Sequence, residues 1–374
     1  MNKILIVFGT RPEAIKLAPL IHELKKSKKN IIKVCSTGQH NEMLKHVISL
    51  FKIKVDISLK LMKHDQKLTN LFTSLVEKMN FVIQKEKPKL VIVQGDTTTA
   101  LAASMSAFFS KIKIAHIEAG LRTNNIQAPW PEEANRKIIS SIADFNFTPT
   151  NYSKNNLIKE GISTSKIFLT GNTVVDALNK ISKKINSNKK IMQNLESKYP
   201  FLNYKKKIIL ITLHRREIFG DKLKLILKSF KKLAIKYKDL IFVYPVHLNP
   251  NVKKFVFKEL ESCKNFILLP PIDYFSLIYI MQKSYLIMSD SGGIQEEAPS
   301  FHVPIIILRD VTERQELINS NQGVLAGTNE KKIIKIFDEL VNNKKKYKNL
   351  KSKKNPFGDG KASKKIRVFL EKLL

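Results

Sequence analysis

KILIVFGTRPEAIKLAP, residues 3–19, decides the fold. An apolar run ends at Phe8, a Gly-Thr-Arg turn follows, and Pro12 stands where the first turn of a helix tolerates it. A continuous apolar run, not an alternating one, marks a parallel strand covered on both faces. The same grammar recurs outward from this stretch. Strands are predicted at 3–8, 31–37, 89–94, 111–118 and 144–149, with helices at 12–26, 40–52, 67–86 and 98–109. The second half repeats the pattern, with strands at 207–212, 239–245, 265–270, 285–290, 303–308 and 323–327. Two stacks of strand-then-helix units imply an α/β chain of two doubly wound domains. A length of 374 residues also asks for more than one core. The expected domains are 1–171 and 172–359, with a seam near Gly171–Asp176. A final helix at about 360–374 is expected to return to the first domain.

Composition narrows the function classes. The formal net charge of +34 invites a nucleic-acid reading. The lysines, however, are spread over nearly every segment and are not interleaved with aromatic residues as a base-stacking surface needs. Solvated lysine faces account for them, so no specific nucleic-acid partner is expected, only weak salt-sensitive adhesion to polyanions. No run of 18 apolar residues exists, and MNKILIVFGT reads as a first strand rather than a signal peptide. Cys35 and Cys263 form no paired motif, which fits a reducing, cytoplasmic setting with neither disulfide nor zinc. No histidine spacing suggests a metal, and the absence of GxGxxG removes any call for a dinucleotide cofactor.

Of 66 basic residues only eight are arginine. Seven lie in short segments dense with Gly, Pro, His or acid: Arg11, Arg122, Arg136, Arg215, Arg216, Arg309 and Arg314. Where lysine suffices for plain charge, surviving arginines mark places that need a planar, two-pronged fork for phosphate or carboxylate. An anionic ligand that bears phosphate is the reading that follows.

The unusual residues also fall where ligands sit in open parallel sheets, beyond the carboxyl ends of strands. Gly9-Thr10-Arg11 follows the first strand, Gly95-Asp96-Thr97 the third, and Glu118-Ala119-Gly120 the fourth. In the second half His214-Arg215, His247 and Ser291-Gly292-Gly293 do the same. One cleft shared by two sheets is the expectation. Ser291-Gly292-Gly293 lets backbone approach a phosphate at a helix start; the structural alternative is a tight turn capped by Asp290 or Ser291. Glu297 suits ribose hydroxyls. Arg11 and Lys16 either grip an anion or are solvated cations on a well-capped helix. Asp96, Glu118, Glu132 and His214 form the candidate acid–base set, and carboxylates crowded together raise one another's proton affinity. Taken singly, Asp96 reads equally well as a helix cap and Glu132 as a first-turn acid.

Beyond these readings, FGTRPEAIKLAP, TGQH, GDTTT, HIEAGLRT, PWPEEANR, TGNTVVDAL, HRRE, YPVHLNPNV, DSGGIQEEAPS, LRDVTER and NPFGDGKAS occur in order along the chain. In this the chain resembles the bacterial non-hydrolysing UDP-N-acetylglucosamine 2-epimerases over essentially its whole length. The resemblance implies two Rossmann-like domains facing a central cleft, a GT-B-like fold, and a homodimer without cofactor. It implies interconversion of UDP-N-acetylglucosamine and UDP-N-acetylmannosamine for surface polysaccharide synthesis, through elimination of UDP. It places catalytic roles on Asp96, Glu118, Glu132 and His214, and nucleotide-sugar contacts on Arg11, Lys16, Ser291, Gly292, Gly293, Glu297 and Arg314. On the uracil side this chain departs from the pattern, with Ile272 in place of a Gln and Leu277 in place of an aromatic. In the segment tied to an activator in some relatives, Gln39 and His40 remain while Glu42 replaces a neutral polar residue. The same donor and fold would also serve a GT-B glycosyltransferase or a hydrolysing epimerase.

Overall fold

A computed structural model describes residues 1–27, 29–38, 42–61, 66–215, 218–351 and 354–373. Gln39, His40 and Arg216 lie outside the described residues, as does the side chain of Glu42. The chain divides into two compact units, one of Met1–Ala177 with Phe357–Leu374, the other of Leu178–Pro356. The first boundary falls inside the helix Thr173–Asn186, a few residues beyond the seam read from the sequence.

The first unit is built on a seven-stranded sheet in the order β3-β2-β1-β4-β5-β6-β7. Its strands are β1 Asn2–Phe8, β2 Asn30–Ser36, β3 Ile57–Ser58, β4 Leu90–Gln94, β5 Lys113–Ile117, β6 Phe145–Thr148 and β7 Ile167–Leu169. Every pairing is parallel. Residues 4–8 of β1 and the whole of β4 are buried, which is why these runs carry no polar alternation. The crossovers are helices, among them Arg11–Leu24, Leu68–Glu86 and Thr98–Phe109. The second unit repeats the plan with six parallel strands in the order β10-β9-β8-β11-β12-β13. These are β8 Lys207–Thr212, β9 Leu240–Pro245, β10 Phe266–Leu269, β11 Ser284–Ser289, β12 Ile305–Ile307 and β13 Gly323–Leu325.

Each sheet reverses its direction of winding once, between β1 and β4 in the first unit and between β8 and β11 in the second. Helices from the two strands at such a point leave to opposite faces, so the loops between them open outward and ligands collect there. Two edge strands, β3 and β7, were not expected from the sequence. They hold only two and three residues, and β7 ends in an exposed Leu169, so neither makes a detectable apolar run.

The last helix, Ala362–Leu373, belongs to the first unit. Phe369 wedges among Phe145, Phe147 and Phe168, with its ring centroid 3.7 Å from that of Phe168. Asp176 accepts the N–H groups of Ala362 and Ser363 at 3.2 and 2.8 Å and so caps this helix. Burial holds the Asp176 carboxyl above the ordinary aspartate range despite those two donors. Among the described residues no helix is long and apolar enough to cross a membrane.

Candidate functional site

At the switch point of the first unit, the loop after β1 meets the loop after β4. Glu13 ties them together. Its Oε2 accepts the N–H groups of Gly9 and Thr10 at 3.0 and 2.7 Å, and its Oε1 accepts the Thr97 hydroxyl at 2.7 Å. Burial raises its pKa in spite of these donors. Thr97, in turn, caps the helix Thr98–Phe109 by accepting Ala100 N–H at 3.0 Å. The cap is therefore Thr97, and Asp96 is spared for other contacts.

Asp96 meets Arg136, whose Nε donates at 2.8 Å and whose Nη2 lies 2.6 Å from the same Oδ2. Arg136 is held from behind by Glu133, Nη1 to Oε2 at 2.7 Å. Glu133 is fully buried and its other oxygen accepts the backbone N–H groups of Thr123 and Asn124 at 3.0 and 3.2 Å. Glu132 opens the helix Glu132–Ile142 and is half-buried, so the first-turn position read from sequence is where it stands. Arg11 likewise opens its helix, half-buried.

Glu118 follows β5 with a backbone φ of +66°, the left-handed region that side-chain-bearing residues avoid. Such strain costs on the order of 1–3 kcal/mol and persists where surrounding contacts over-determine it. Here Lys16 forms a short ion pair with Glu118 Oε2, and Asn172 Nδ2 donates to the same oxygen at 2.8 Å. Lys16 is 6% exposed and Glu118 8%. Lys16 is thus no solvated cation, contrary to the structural alternative considered for it. Two residues on, Gly120 has a φ of +88°, and an added Cβ would stand 2.2 Å from Ser153 O, so only glycine fits that turn. Below this layer His116 is fully buried, its Nε2 2.7 Å from Gly95 O. Burial lowers its pKa to about 4. Asp96 and Glu118 each face a cation.

The switch point of the second unit is built around Asp290, at the end of β11 and fully buried. It accepts His214 N–H and Arg215 N–H at 2.9 and 2.8 Å, and its Oδ1 is 3.1 Å from His214 Nδ1. Burial pushes the Asp290 carboxyl up, but the His214 hydrogen bond and charge and the two backbone donors prevail and hold it below the usual range. Asp290 is therefore the anchor of the His214 loop, not the helix cap that its position suggested. Ser291, Gly292 and Gly293 begin the short helix Gly292–Glu297.

Arg314 lies across Gly292. A Cβ added there would be 2.8 Å from its guanidinium carbon, so the glycine makes room for the arginine. Glu296 accepts from Arg314 Nε and Nη2 at 2.9 and 2.7 Å, and Glu313 forms a short bond with Nη1. Glu313 also accepts from Arg309 at 2.8 Å and lies 3.8 Å from Arg215. Glu296 and Glu313 are fully buried or nearly so. Glu297, beside them, accepts the Tyr274 hydroxyl at 2.7 Å. Ile272 is half-buried next to Asp273, which caps the helix Tyr274–Lys283, and Leu277 is half-buried within it.

The arginine signal needs correction on one point. Arg122, Arg136, Arg215, Arg309, Arg314 and Arg367 all reach a carboxylate of this same chain. The forks are first of all internal fasteners, because guanidinium and carboxylate match inside the fold as well as at a ligand. Sequence reasoning also passed over Glu13, Glu133, Glu313 and Asn172, and took Glu296 with Glu297 only as support for an anion-binding turn. The pairs Glu133–Arg136 and Glu313–Arg314 are close in sequence and were legible as helix-spaced or adjacent charges, and Thr10 with Glu13 spells a capping box that was legible too; Asn172 carried no such signal.

With this geometry in place, comparison with known proteins gives a consistent answer. The family described as UDP-N-acetylglucosamine 2-epimerase matches residues 22–371. The chain belongs to the UDP-N-acetylglucosamine 2-epimerase family. Its relatives include the UDP-N-acetylglucosamine 2-epimerase of Neisseria meningitidis, 47% identical over 372 residues, covering 100% of this chain and 99% of the relative. That of Escherichia coli is 44% identical over 364 residues, 97% of each chain. Among solved structures, the Neisseria meningitidis UDP-GlcNAc 2-epimerase bound to UDP-GlcNAc is similar with a TM-score of 0.96, over 99% of this chain and 100% of that one. The Methanocaldococcus jannaschii enzyme in complex with UDP-GlcNAc and UDP matches at 34% identity and a TM-score of 0.85, over 99% of both chains. A Rickettsia africae glycosyltransferase shares only the fold, at 14% identity and a TM-score of 0.64.

Proposed function

We propose that this epimerase-family chain is a non-hydrolysing UDP-N-acetylglucosamine 2-epimerase, converting its substrate to UDP-N-acetylmannosamine and back. The C2–H of the sugar is not acidic, because no carbonyl at C1 stabilises a carbanion. Cleavage of the C1–O bond gives C1 cationic character and makes the C2 proton removable. UDP leaves with the C1–O electron pair, a carboxylate takes the C2 proton, and the C2–H pair becomes the C1=C2 bond of 2-acetamidoglucal. In return, UDP adds to C1 and a second acid delivers a proton to the opposite face of C2.

Such a reaction needs proton carriers and a cationic hold on the departing diphosphate. The observation that carries the reading is the set of acids at the first unit's switch point, Asp96 and Glu118, each seated on a buried cation. Asp96, Glu118 and Glu132 are assigned proton transfer. In the second unit Arg314, packed on Gly292, with His214 and Ser291-Gly292-Gly293, is assigned the diphosphate. Arg11 and Lys16 complete the anion contacts. Glu297 is assigned the ribose, and Ile272 and Leu277 the uracil side. A homodimer is part of the proposal, supported by Phe81, Phe108 and Phe109, which stand 63%, 51% and 66% exposed on helices of the first unit that pack together.

The test is UDP-N-acetylglucosamine with enzyme alone in heavy water, followed by NMR. Deuterium at C2 of an intact UDP-sugar is expected. Free amino sugar with UDP would make the enzyme hydrolysing, and an unchanged substrate would overturn the proposal.

A further inference from the structure

We propose that Asn172 is a positioning residue for Glu118, fixing the direction of its carboxylate and tying it to the two segments that connect the units. The inference rests on the proton-transfer role assigned to Glu118 above. Asn172 lies between β7 and the helix Thr173–Asn186 and is 2% exposed. Its Oδ1 accepts Val174 N–H at 3.0 Å, which leaves Nδ2 as the end that faces Glu118, at 2.8 Å from Oε2. Its own backbone N–H donates to Phe357 O at 2.7 Å. Rotation of the amide would break the bonds at both of its ends.

Lys16 reaches the same Oε2. The two donors differ in kind. An ammonium is a point charge on a flexible stem with rotatable donors, whereas a carboxamide is planar and presents its N–H groups in fixed directions. Lys16 supplies charge to Glu118 and Asn172 supplies direction. Direction matters more here than usual, because the backbone of Glu118 is in the left-handed region and its side chain depends on outside contacts.

Asn172 also stands where the chain passes between units. The segment through Ala177 leaves the first unit and the segment from Phe357 re-enters it. At Gly171 an added Cβ would lie 3.4 Å from Phe357 O and 3.5 Å from Gly358 Cα, so the two segments run in backbone contact beside Asn172. A shift in either segment reaches Glu118 through one amide.

Full-length Asn172→Ala and Asn172→Asp test this. The second keeps the shape and the Val174 acceptor but replaces the amide donor with a carboxyl crowded against Glu118, so its turnover is read across a pH series. For both, UDP affinity is measured by calorimetry, and turnover and C2 deuterium incorporation by NMR, scaled to the folded fraction from thermal melts. Turnover is expected to fall about 10²-fold, the scale of a misplaced catalytic group, with UDP affinity within about twofold of wild type. Should Asn172→Ala fail to fold, Asn172→Asp reads the same split. Turnover per folded molecule near wild type, or a loss confined to UDP affinity or melting temperature, would overturn the role. Wild-type enzyme that exchanges no deuterium would instead sink the proposed function itself, while exchange by wild type and variants alike removes only Asn172.

Discussion

In each unit one buried acid ties the two switch-point loops together, Glu13 in the first and Asp290 in the second, 1% and 0% exposed. Burial drives both upward in pKa, yet Glu13 ends raised and Asp290 lowered. The difference is the donor set. Glu13 is met by two backbone N–H groups and hydroxyls, which offset only part of the lost hydration. Asp290 has two backbone N–H groups and the ring of His214, whose hydrogen bond and charge tip the balance. The layering is inverted as well. In the first unit Asp96 is 24% exposed over an Arg136 that is 4% exposed, an acid backed by a cation. In the second unit His214 is 46% exposed over a buried Asp290, and Arg215 24% exposed over a buried Glu313, so the basic groups lie outward. One plan thus turns an acid outward in the first unit and basic groups outward in the second.

Five substitutions or titrations break or sharpen this contrast. The largest effect is expected from Asp96→Asn, which keeps the Arg136 contact but removes the outward acid. Epimerisation per folded molecule should fall about 10⁴-fold, read by C2 deuterium incorporation scaled to the folded fraction; ordinary turnover would take Asp96 out of the chemistry. Next is His116, the buried counterpart of the exposed His214. Its folded pKa of about 4 lies below the unfolded 6.5. As pH falls between those values the unfolded chain takes up a proton that the folded chain refuses, so stability is lost on acidification, by about 3 kcal/mol in all. Calorimetry from pH 7 to 4 should show this slope in wild type and lose it in His116→Gln.

Asp290→Asn should cost about 2 kcal/mol, since a charged acceptor of two backbone N–H bonds, set beside His214, becomes neutral. Its contribution is present above the ordinary aspartate range and vanishes as pH falls through the depressed folded value, so melts of wild type and variant should converge in acid. Arg314→Lys keeps the charge but loses the fork that spans Glu296 and Glu313, and UDP affinity should drop about tenfold by calorimetry. The smallest effect belongs to Glu13→Gln. A raised carboxyl stabilises below its unfolded pKa and loses that contribution as pH rises through the folded one. An uncharged replacement should therefore cost under about 1 kcal/mol near neutrality, far less than Asp290→Asn; equal losses would erase the distinction between the two anchors.

The long strands were legible because burial on both faces forces unbroken apolar runs such as those of β1, β4 and β8. The positions of Asp96, Glu118 and His214 at strand ends were legible for the same reason, as a polar residue that closes such a run stands at the sheet's carboxyl edge. Partnerships were not. Asp290 and His214 are 76 residues apart, Lys16 and Glu118 102, and no local pattern encodes either pairing. Glu133 was overlooked beside Glu132 because only the fold decides which of two adjacent acids turns inward.

The helix Ala362–Leu373 bears on how the protein is made. Its Phe369 wedge and its Asp176 cap belong to the first unit, but residues 357–373 leave the ribosome after every residue of the second. Domain-by-domain folding during synthesis, in which an amino-terminal domain finishes before its successor emerges, is closed to this chain. The first unit must wait, with the aromatic faces of Phe147 and Phe168 uncovered, until residues 357–373 have been made.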